Sequence, residues 1–481
     1  MKAFTEPLLS LAGFEEMTKT AEKSSGLISV TGCIDAQKSQ MIYAFGGHRK
    51  NKLIVTFGEQ KAKELYDEYS FFDKEVVYYP SKDVLFYQSD IRGNLLTAER
   101  IRALKAIREQ ESVTLVTTFD ALMNTMAPIE KMWENVLTLE QGQLLDLKEI
   151  QAALIRMGYE KEYQVQTMGQ FSVRGGILDV FPLTEENPIR IELWGDEIDT
   201  IRYFDCESQK SIENTDRVSI YPAAELVLSD EEKAGGIEKL KAEAKRVSDK
   251  LRKQMKTEEA HRVSVMADEL TEEWGELSMY AGMDAFLSYF FDERVGLLDY
   301  FKPSDSLIFF DELTRCTEQG KLTETEFSES MKQRLAMGYI LPGQMNGLFT
   351  EKEIVAKLGK YSCVALAALD NKANGLHQLG SYGIHCQSVS PYNNSFELLI
   401  KDLKRYKKNG YRVILLSGSR TRAKRLSEDI TDQGITCFYT ENYDHELSEG
   451  QIMVCYGKVR RGFEYPILKF AVITESDIFG A

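Results

Sequence analysis

Long apolar runs are missing. No stretch of about 18 consecutive apolar residues occurs in this 481-residue chain, although 43% of it is hydrophobic, so a membrane-spanning helix is not expected. The start, Met1 to Pro7, lacks the apolar core and small-residue cleavage site of an export signal, and a cytoplasmic location is expected. The seven cysteines (Cys33, Cys206, Cys316, Cys363, Cys386, Cys437 and Cys455) are scattered and never spaced Cys-x-x-Cys. That removes the usual basis for a zinc site or a disulfide framework. The five histidines are equally dispersed, and no metal ligand set is expected. An excess of positive charge is also lacking. With 59 Lys and Arg against 75 Asp and Glu, the formal charge is -16. A surface of that sign repels phosphate at long range, which disfavours nucleic-acid binding by the whole surface but leaves a local basic patch open.

The length suggests roughly three domains. From 27 to 123, short apolar strands (Leu27 to Val30, Leu53 to Phe57, Val76 to Tyr79, Val113 to Thr117) alternate with helical patterns, as a covered parallel sheet requires. From 161 to 222, period-2 alternation takes over. Ile189 to Trp194 and Thr200 to Phe204 alternate apolar with polar residues around a turn at Gly195-Asp196. Residues 230 to 277, rich in Lys, Glu, Ala and Leu and free of proline, read as a long helix or a helix pair with a solvated face. Strands return at Ser306 to Phe310 and Ser362 to Leu366 and suit completion of the first sheet, and a further strand-helix-strand stretch closes the chain.

The loop after the first strand, Gly32 to Ser39, stands where a phosphate loop would, with the pattern Gly-x-x-x-x-Gly-Lys-Ser/Thr between strand and helix. Lys38 and Ser39 match. The second glycine, which lets the backbone aim its N–H groups at phosphate, is replaced by Gln37, and Asp35 adds a negative charge inside the cradle. The loop reads either as a degenerate nucleotide loop (Gly32, Gln37, Lys38, Ser39) or as a chance match opening an ordinary helix. A motor of this kind also needs an acidic residue after a later strand to hold magnesium. Val113 to Thr118 leads only into Phe119-Asp120-Ala121, without an Asp-Glu pair, and Asp120 is expected to cap a helix. ATP hydrolysis by this region is not expected, nor is a cofactor within it.

The most specific segment is Phe171 to Pro182, Phe-Ser-Val-Arg-Gly-Gly-Ile-Leu-Asp-Val-Phe-Pro, followed by Pro188 to Asp199 and Ile201 to Lys210. Its order of Arg-Gly, Asp-x-Phe-Pro, Arg-x-Glu and Gly-Asp-Glu resembles the second domain shared by UvrB and the transcription-repair coupling factors (Mfd). Weaker similarity extends over the whole chain, including Ser81 to Tyr87 and Ile473 to Gly480. The resemblance implies an α/β, UvrB-like architecture. A degenerate P-loop-helicase-like parallel-sheet domain (1–135 and 223–387) is interrupted by a small strand-rich α+β insertion (136–222) and followed by a separate small α/β domain (388–481).

In that family the insertion docks onto UvrA, the damage-recognition ATPase of nucleotide excision repair, and the matching positions are Arg174, Arg190 and Trp194. Period 2 places Arg190, Glu192 and Trp194 on one face of their strand and Ile189, Ile191 and Leu193 on the other. An outward Trp beside Arg fits an interface anchor. Leu193 and Trp194 stand where the family pattern leads one to expect phenylalanines. Asp196 and Glu197 read as turn and edge charges. The Gly175-Gly176 pair reads as a tight backbone approach or a bulge. The resemblance further implies masking of the docking face by C-terminal domains of a longer protein. RNA polymerase, DNA, ATP and magnesium would engage those domains and their translocase, whose signatures do not occur up to Ala481. Two basic features stay open. Ser417 to Arg422 suits an anion nest or a capped strand-to-helix loop, and Lys458, Arg460 and Arg461 suit a solvated loop or a contact with DNA or a partner.

Overall fold

The computed structural model describes residues 1–46, 49–83, 93–276, 282–369 and 375–480. Within the Ser81 to Tyr87 run, Val84 to Tyr87 lie outside the described residues, as does Ala481. The fold is mixed α/β, with one large parallel sheet and further sheets around it.

The large sheet has seven strands in the order Gln378–Gly383, Gly26–Thr31, Ser362–Leu366, Ser306–Asp311, Asn51–Thr56, Val113–Thr118 and Val77–Tyr79, every pairing parallel. Its central strands are mostly apolar and buried from end to end, as a sheet covered on both faces demands. Two of those central strands, Ser306–Asp311 and Ser362–Leu366, come from beyond the strand-rich segment, so the sheet closes only after the chain has made that excursion. The helix Phe119–Met123 is capped by Thr118, whose hydroxyl accepts from the Ala121 N–H. Asp120, expected as the cap, instead accepts hydrogen bonds from Thr323 and Gln319 of the helix Leu313–Ala336. Thr118 already occupies the non-helical position that a cap requires.

The strand-rich segment forms a six-stranded sheet ordered Ser211–Thr215, Glu197–Phe204, Ile189–Trp194, Ile177–Val180, Gln170–Arg174 and Glu160–Lys161. One face packs Phe171, Leu178, Val180, Ile189, Ile191 and Ile201 against the helix Leu147–Arg156 and the two-stranded ribbon Leu137–Glu140 with Arg217–Ile220. Gly175 and Gly176 form a tight hairpin turn rather than a bulge, since Arg174 and Ile177 pair directly on either side of them. Gly175 lies at φ +61, and Leu193 donates its N–H to the Gly176 carbonyl. A buried charge cluster ties this unit to the body. Glu225, just past the ribbon, accepts from Arg100 at 2.8 Å and pairs with Lys82, which also binds Asp284 at 2.6 Å. The lysine-rich and glutamate-rich segment is a helix pair, Asp230–Lys253 opened by a Ser229–Glu232 capping box, and Thr257–Glu276.

The last sheet runs Gln387–Ser388, Phe463–Tyr465, Phe470–Thr474, Arg412–Ser417, Ile452–Tyr456 and Phe438–Tyr439. Several of its buried residues join those of the first sheet. Ile414, Leu416, Met453, Phe463, Tyr465 and Val472 belong to the same buried cluster as Met41, Ile42, Phe45, Ile54 and Phe309 of the first sheet and its opening helix Asp35–Phe45. That helix carries buried residues around most of its circumference, so it is sandwiched between two sheets rather than laid on one. Tyr465 donates to Gln40 at 3.0 Å, and Gln40 donates to the Phe4 carbonyl at 2.6 Å. A sequence pattern reports how much of a helix is apolar, but not which two surfaces its faces will meet.

Candidate docking site

Antiparallel pairing fixes which side chains of the strand-rich unit face outward. Residues directly opposite each other share a face. Arg174 opposes Ile177, Ile177 opposes Glu192, and Asp179 opposes Arg190, which opposes Arg202. These residues, with Trp194, therefore make one face, and the core residues make the other. Period 2 gives the same division along Ile189–Trp194, where Ile189 and Ile191 are buried and Trp194 is 84% exposed.

The two arginines are not equivalent. Asp179 is fully buried and accepts from both. Arg190 grips it through two bonds, Nε to Oδ1 at 2.7 Å and a terminal nitrogen to Oδ2 at 2.8 Å. Arg190 also donates to Gln209 at 2.8 Å and lies over the Phe204 ring at 4.2 Å. Its Nε and one terminal nitrogen are thus taken by its own chain, and little of the side chain reaches solvent. Arg174 makes a single bond to Asp179 at 3.0 Å and is exposed enough to offer its remaining donors outward. Glu192 is held beside them by Arg202 at 2.6 Å. Arg174 and Trp194 are therefore the presenting groups, and Arg190 sets the face beneath them. Sequence reasoning missed Asp179, Gln209 and Phe204. Asp179 had a readable signal, because it sits inside the same Gly-Gly-Ile-Leu-Asp run as Arg174.

The candidate nucleotide loop has a different content. Gly32 lies at φ +80, and a Cβ there would stand 2.0 Å from the Ile384 carbonyl oxygen. The first glycine thus serves a close backbone approach. The N–H groups of Gly32 and Cys33 donate to the carbonyls of Ala368 and Ala367. Gln37, Lys38 and Ser39 are buried. Lys38 Nζ binds Asp311 at 2.5 Å, Glu312 at 2.9 Å and Asp35 at 3.1 Å. Burial alone would favour the neutral amine, but the Asp311 carboxylate, with Asp35 and Glu312, outweighs it and pushes the Lys38 pKa up. Lys61 holds the other oxygen of Asp35 at 2.9 Å.

Asp311-Glu312 is the acidic pair that the sequence reading looked for after Val113–Thr118 and did not find. It follows a different strand, Ser306–Asp311, and faces the loop across the sheet. The signal was present as Phe-Phe-Asp-Glu at the end of a recognised strand.

At the other loop, Ser419 caps the helix Arg420–Asp432. The Ser417 hydroxyl and Gly418 N–H both bind Glu475 of the same chain, at 2.8 and 2.7 Å, and Arg422 binds its other oxygen. Arg460 pairs with Glu64 at 2.9 Å. Among the described residues, no group of His, Cys, Asp and Glu is arranged to hold a metal ion, and no helix is long and apolar enough to cross a membrane.

Residues 137–226 match the model of the UvrB interaction domain, the stretch that carries the arginine–aspartate face and Trp194. Matches to curated proteins run far beyond it. The chain is 28% identical over 429 residues to a transcription-repair-coupling factor of Bacillus subtilis (strain 168), covering 89% of this chain and 36% of that protein. This chain is a relative of the transcription-repair coupling factors. It is 26% identical to one from Staphylococcus haemolyticus (strain JCSC1435), over 94% of this chain and 38% of that protein. It is also 26% identical to one from Staphylococcus aureus (strain MRSA252), over 97% and 39%. The chain thus spans little more than a third of the length of these coupling factors.

Proposed function

We propose that this chain is a UvrA-docking module of a transcription-repair coupling factor, acting in transcription-coupled repair without nucleotide chemistry of its own. The observation that carries the reading is Trp194, a large aromatic left 84% exposed on a rigid strand end within the UvrB interaction match. An exposed aromatic on ordered backbone anchors an interface efficiently because little entropy is lost on contact. Arg174 supplies directional donors alongside it, and Arg190 holds Asp179 so that the face keeps its shape.

The non-catalytic part of the reading rests on Lys38. A phosphate-binding lysine must leave its ammonium to the ligand, and here three carboxylates take it. Asp311 and Glu312, which could otherwise hold magnesium, are spent on the same lysine. ATP hydrolysis, RNA polymerase contact and DNA translocation would then belong to other parts of a longer protein, whose C-terminal domains would mask the Trp194 face until needed.

Calorimetry with UvrA tests the docking reading. We expect saturable one-to-one binding by this chain and a loss of roughly thirtyfold or more for Trp194→Ala. Absence of binding by the unaltered chain would remove the docking role, and DNA-stimulated ATP hydrolysis by it would remove the non-catalytic one.

A further inference from the structure

The face around Trp194 continues beyond the six-stranded sheet. Glu197 opposes Trp194 on one side, and on the other it bridges to Leu144 in the loop Gln141–Leu145. Directly opposed residues share a face, so Trp194, Glu197 and Leu144 form a row. With strands about 4.8 Å apart, the two apolar side chains stand about 10 Å from one another with the carboxylate between them. Leu144 is 75% exposed.

This exposure is not that of a loose loop. Gly142 donates to the Ile198 carbonyl at 2.8 Å, Ile198 donates to Gln143 at 2.9 Å, and Leu145 donates to Asp196 at 2.7 Å. The Gln141 amide donates to the Asp199 carbonyl at 2.8 Å, and the Gln143 carbonyl oxygen of the side chain accepts from the Glu140 N–H at 3.0 Å. Leu145, the next residue, is buried in the core. Leu144 is thus held outward on backbone fixed from both sides, and a partner that covers it has little backbone freedom left to remove.

Beside the row lies an open groove of about 630 Å³, lined among others by Trp194, Glu140, Glu197, Asp199, Asp216 and Arg217. Arg217 is paired with Glu140 at 3.2 Å. Among the described residues, Glu197, Asp199 and Asp216 make no ion pair, so the groove keeps three uncompensated carboxylates.

We propose that the Gln141–Leu145 loop is part of the docking surface, and that Leu144 and Trp194 form a two-pronged clamp for an apolar side chain of UvrA with a lysine or arginine beside it. The apolar side chain packs against the outer surfaces of the Trp194 ring and the Leu144 side chain, which flank Glu197. The cation reaches Glu197 and the groove carboxylates, where opposite charge also speeds encounter. The inference rests on the docking reading and adds a second anchor, on a different segment of chain, to the arginine–tryptophan face.

The test is titration of UvrA into this chain, Trp194→Ala, Leu144→Ala and the triple variant Glu197→Gln, Asp199→Asn, Asp216→Asn, each at low and high salt. All three sites are exposed, and unchanged thermal midpoints will show that the variants fold. Leu144→Ala is expected to weaken binding by roughly tenfold at either salt concentration. The triple variant is expected to weaken it at low salt and to flatten the salt dependence. Leu144→Ala binding as tightly as the unaltered chain, while Trp194→Ala is weakened, would overturn the clamp and leave the docking reading standing. Absence of binding by the unaltered chain would overturn both.

Discussion

Lys38 and Asp311, 273 residues apart in the chain, form a buried ion pair at 2.5 Å. The pair joins the opening helix Asp35–Phe45 to the end of a central strand, and Glu312 and Asp35 complete the shell around the ammonium. A buried charge that loses its partner is left in a medium that solvates it poorly. Lys38→Met is therefore expected to destabilise the fold by about 3–5 kcal/mol, read from urea unfolding. Mg-ATP is expected to leave the thermal midpoint of the unaltered chain unmoved, because a ligand of the folded state would raise it. A clear upward shift would mean that the carboxylates yield to phosphate.

Two neighbours in the same loop should respond in opposite directions. Gly32→Ala forces a side chain into left-handed backbone and against the Ile384 carbonyl, and a loss of more than about 1 kcal/mol is expected. Ser39→Ala removes a buried hydroxyl that has no hydrogen-bond partner among the described residues, and is expected to be neutral or stabilising. Circular dichroism melts of the two variants decide the matter. A destabilised Ser39→Ala would show that the hydroxyl is satisfied within the folded chain.

Within the docking face, stability and affinity should separate. Trp194→Ala removes an exposed ring and is expected to leave the melting midpoint within about a degree while binding falls. Arg190→Ala leaves the buried Asp179 with Arg174 alone and is expected to cost about 3 kcal/mol in stability, with affinity falling as a consequence. Arg190→Lys restores charge but not the two-pronged grip and should recover only part of the loss. Equal melting midpoints for Arg190→Ala and Trp194→Ala would show that Arg190 is a contact residue instead.

Glu225 gives a pH dependence. Burial raises its pKa, but Arg100 and Lys82 outweigh that and hold it near 2, against 4.5 for the free group. The unfolded chain binds a proton here more readily than the folded one, so stability rises with pH across this window. The contribution is full above about pH 4.5 and is lost as pH falls toward 2. Its size is on the order of 3 kcal/mol. Acid-unfolding curves of Glu225→Gln should be flatter over this range. Parallel curves for the variant and the unaltered chain would exclude the cluster as an acid-sensitive fastener.

Much of this was legible in the chain. Apolar runs and period-2 alternation located most strands, because covered strands and half-wet strands differ in pattern. Trp194 was legible as an outward side chain for the same reason. Phe463–Tyr465 was not, being only three residues long and set antiparallel to both of its neighbours. Asp311-Glu312 was overlooked because the acidic pair was sought on the wrong strand, and nothing local ties residue 311 to residue 38. The division of labour between Arg174 and Arg190 could not be read either. Both are arginines on one face, and only the side-chain geometry shows that Asp179 and Gln209 take two nitrogens of one and leave the other more open.

The helix Asp35–Phe45 between the two sheets has a consequence for how the chain tolerates change. Met41, Ile42 and Phe45 lie in one core that both sheets share, so a replacement that suits one sheet must also suit the other. An ordinary surface helix can drift on its wet side; this one has almost none. Variation that accumulates elsewhere in the chain should bypass Met41, Ile42 and Phe45. A break between the two sheets would leave both halves with a wet apolar wall, so they should melt together as a single thermal unit.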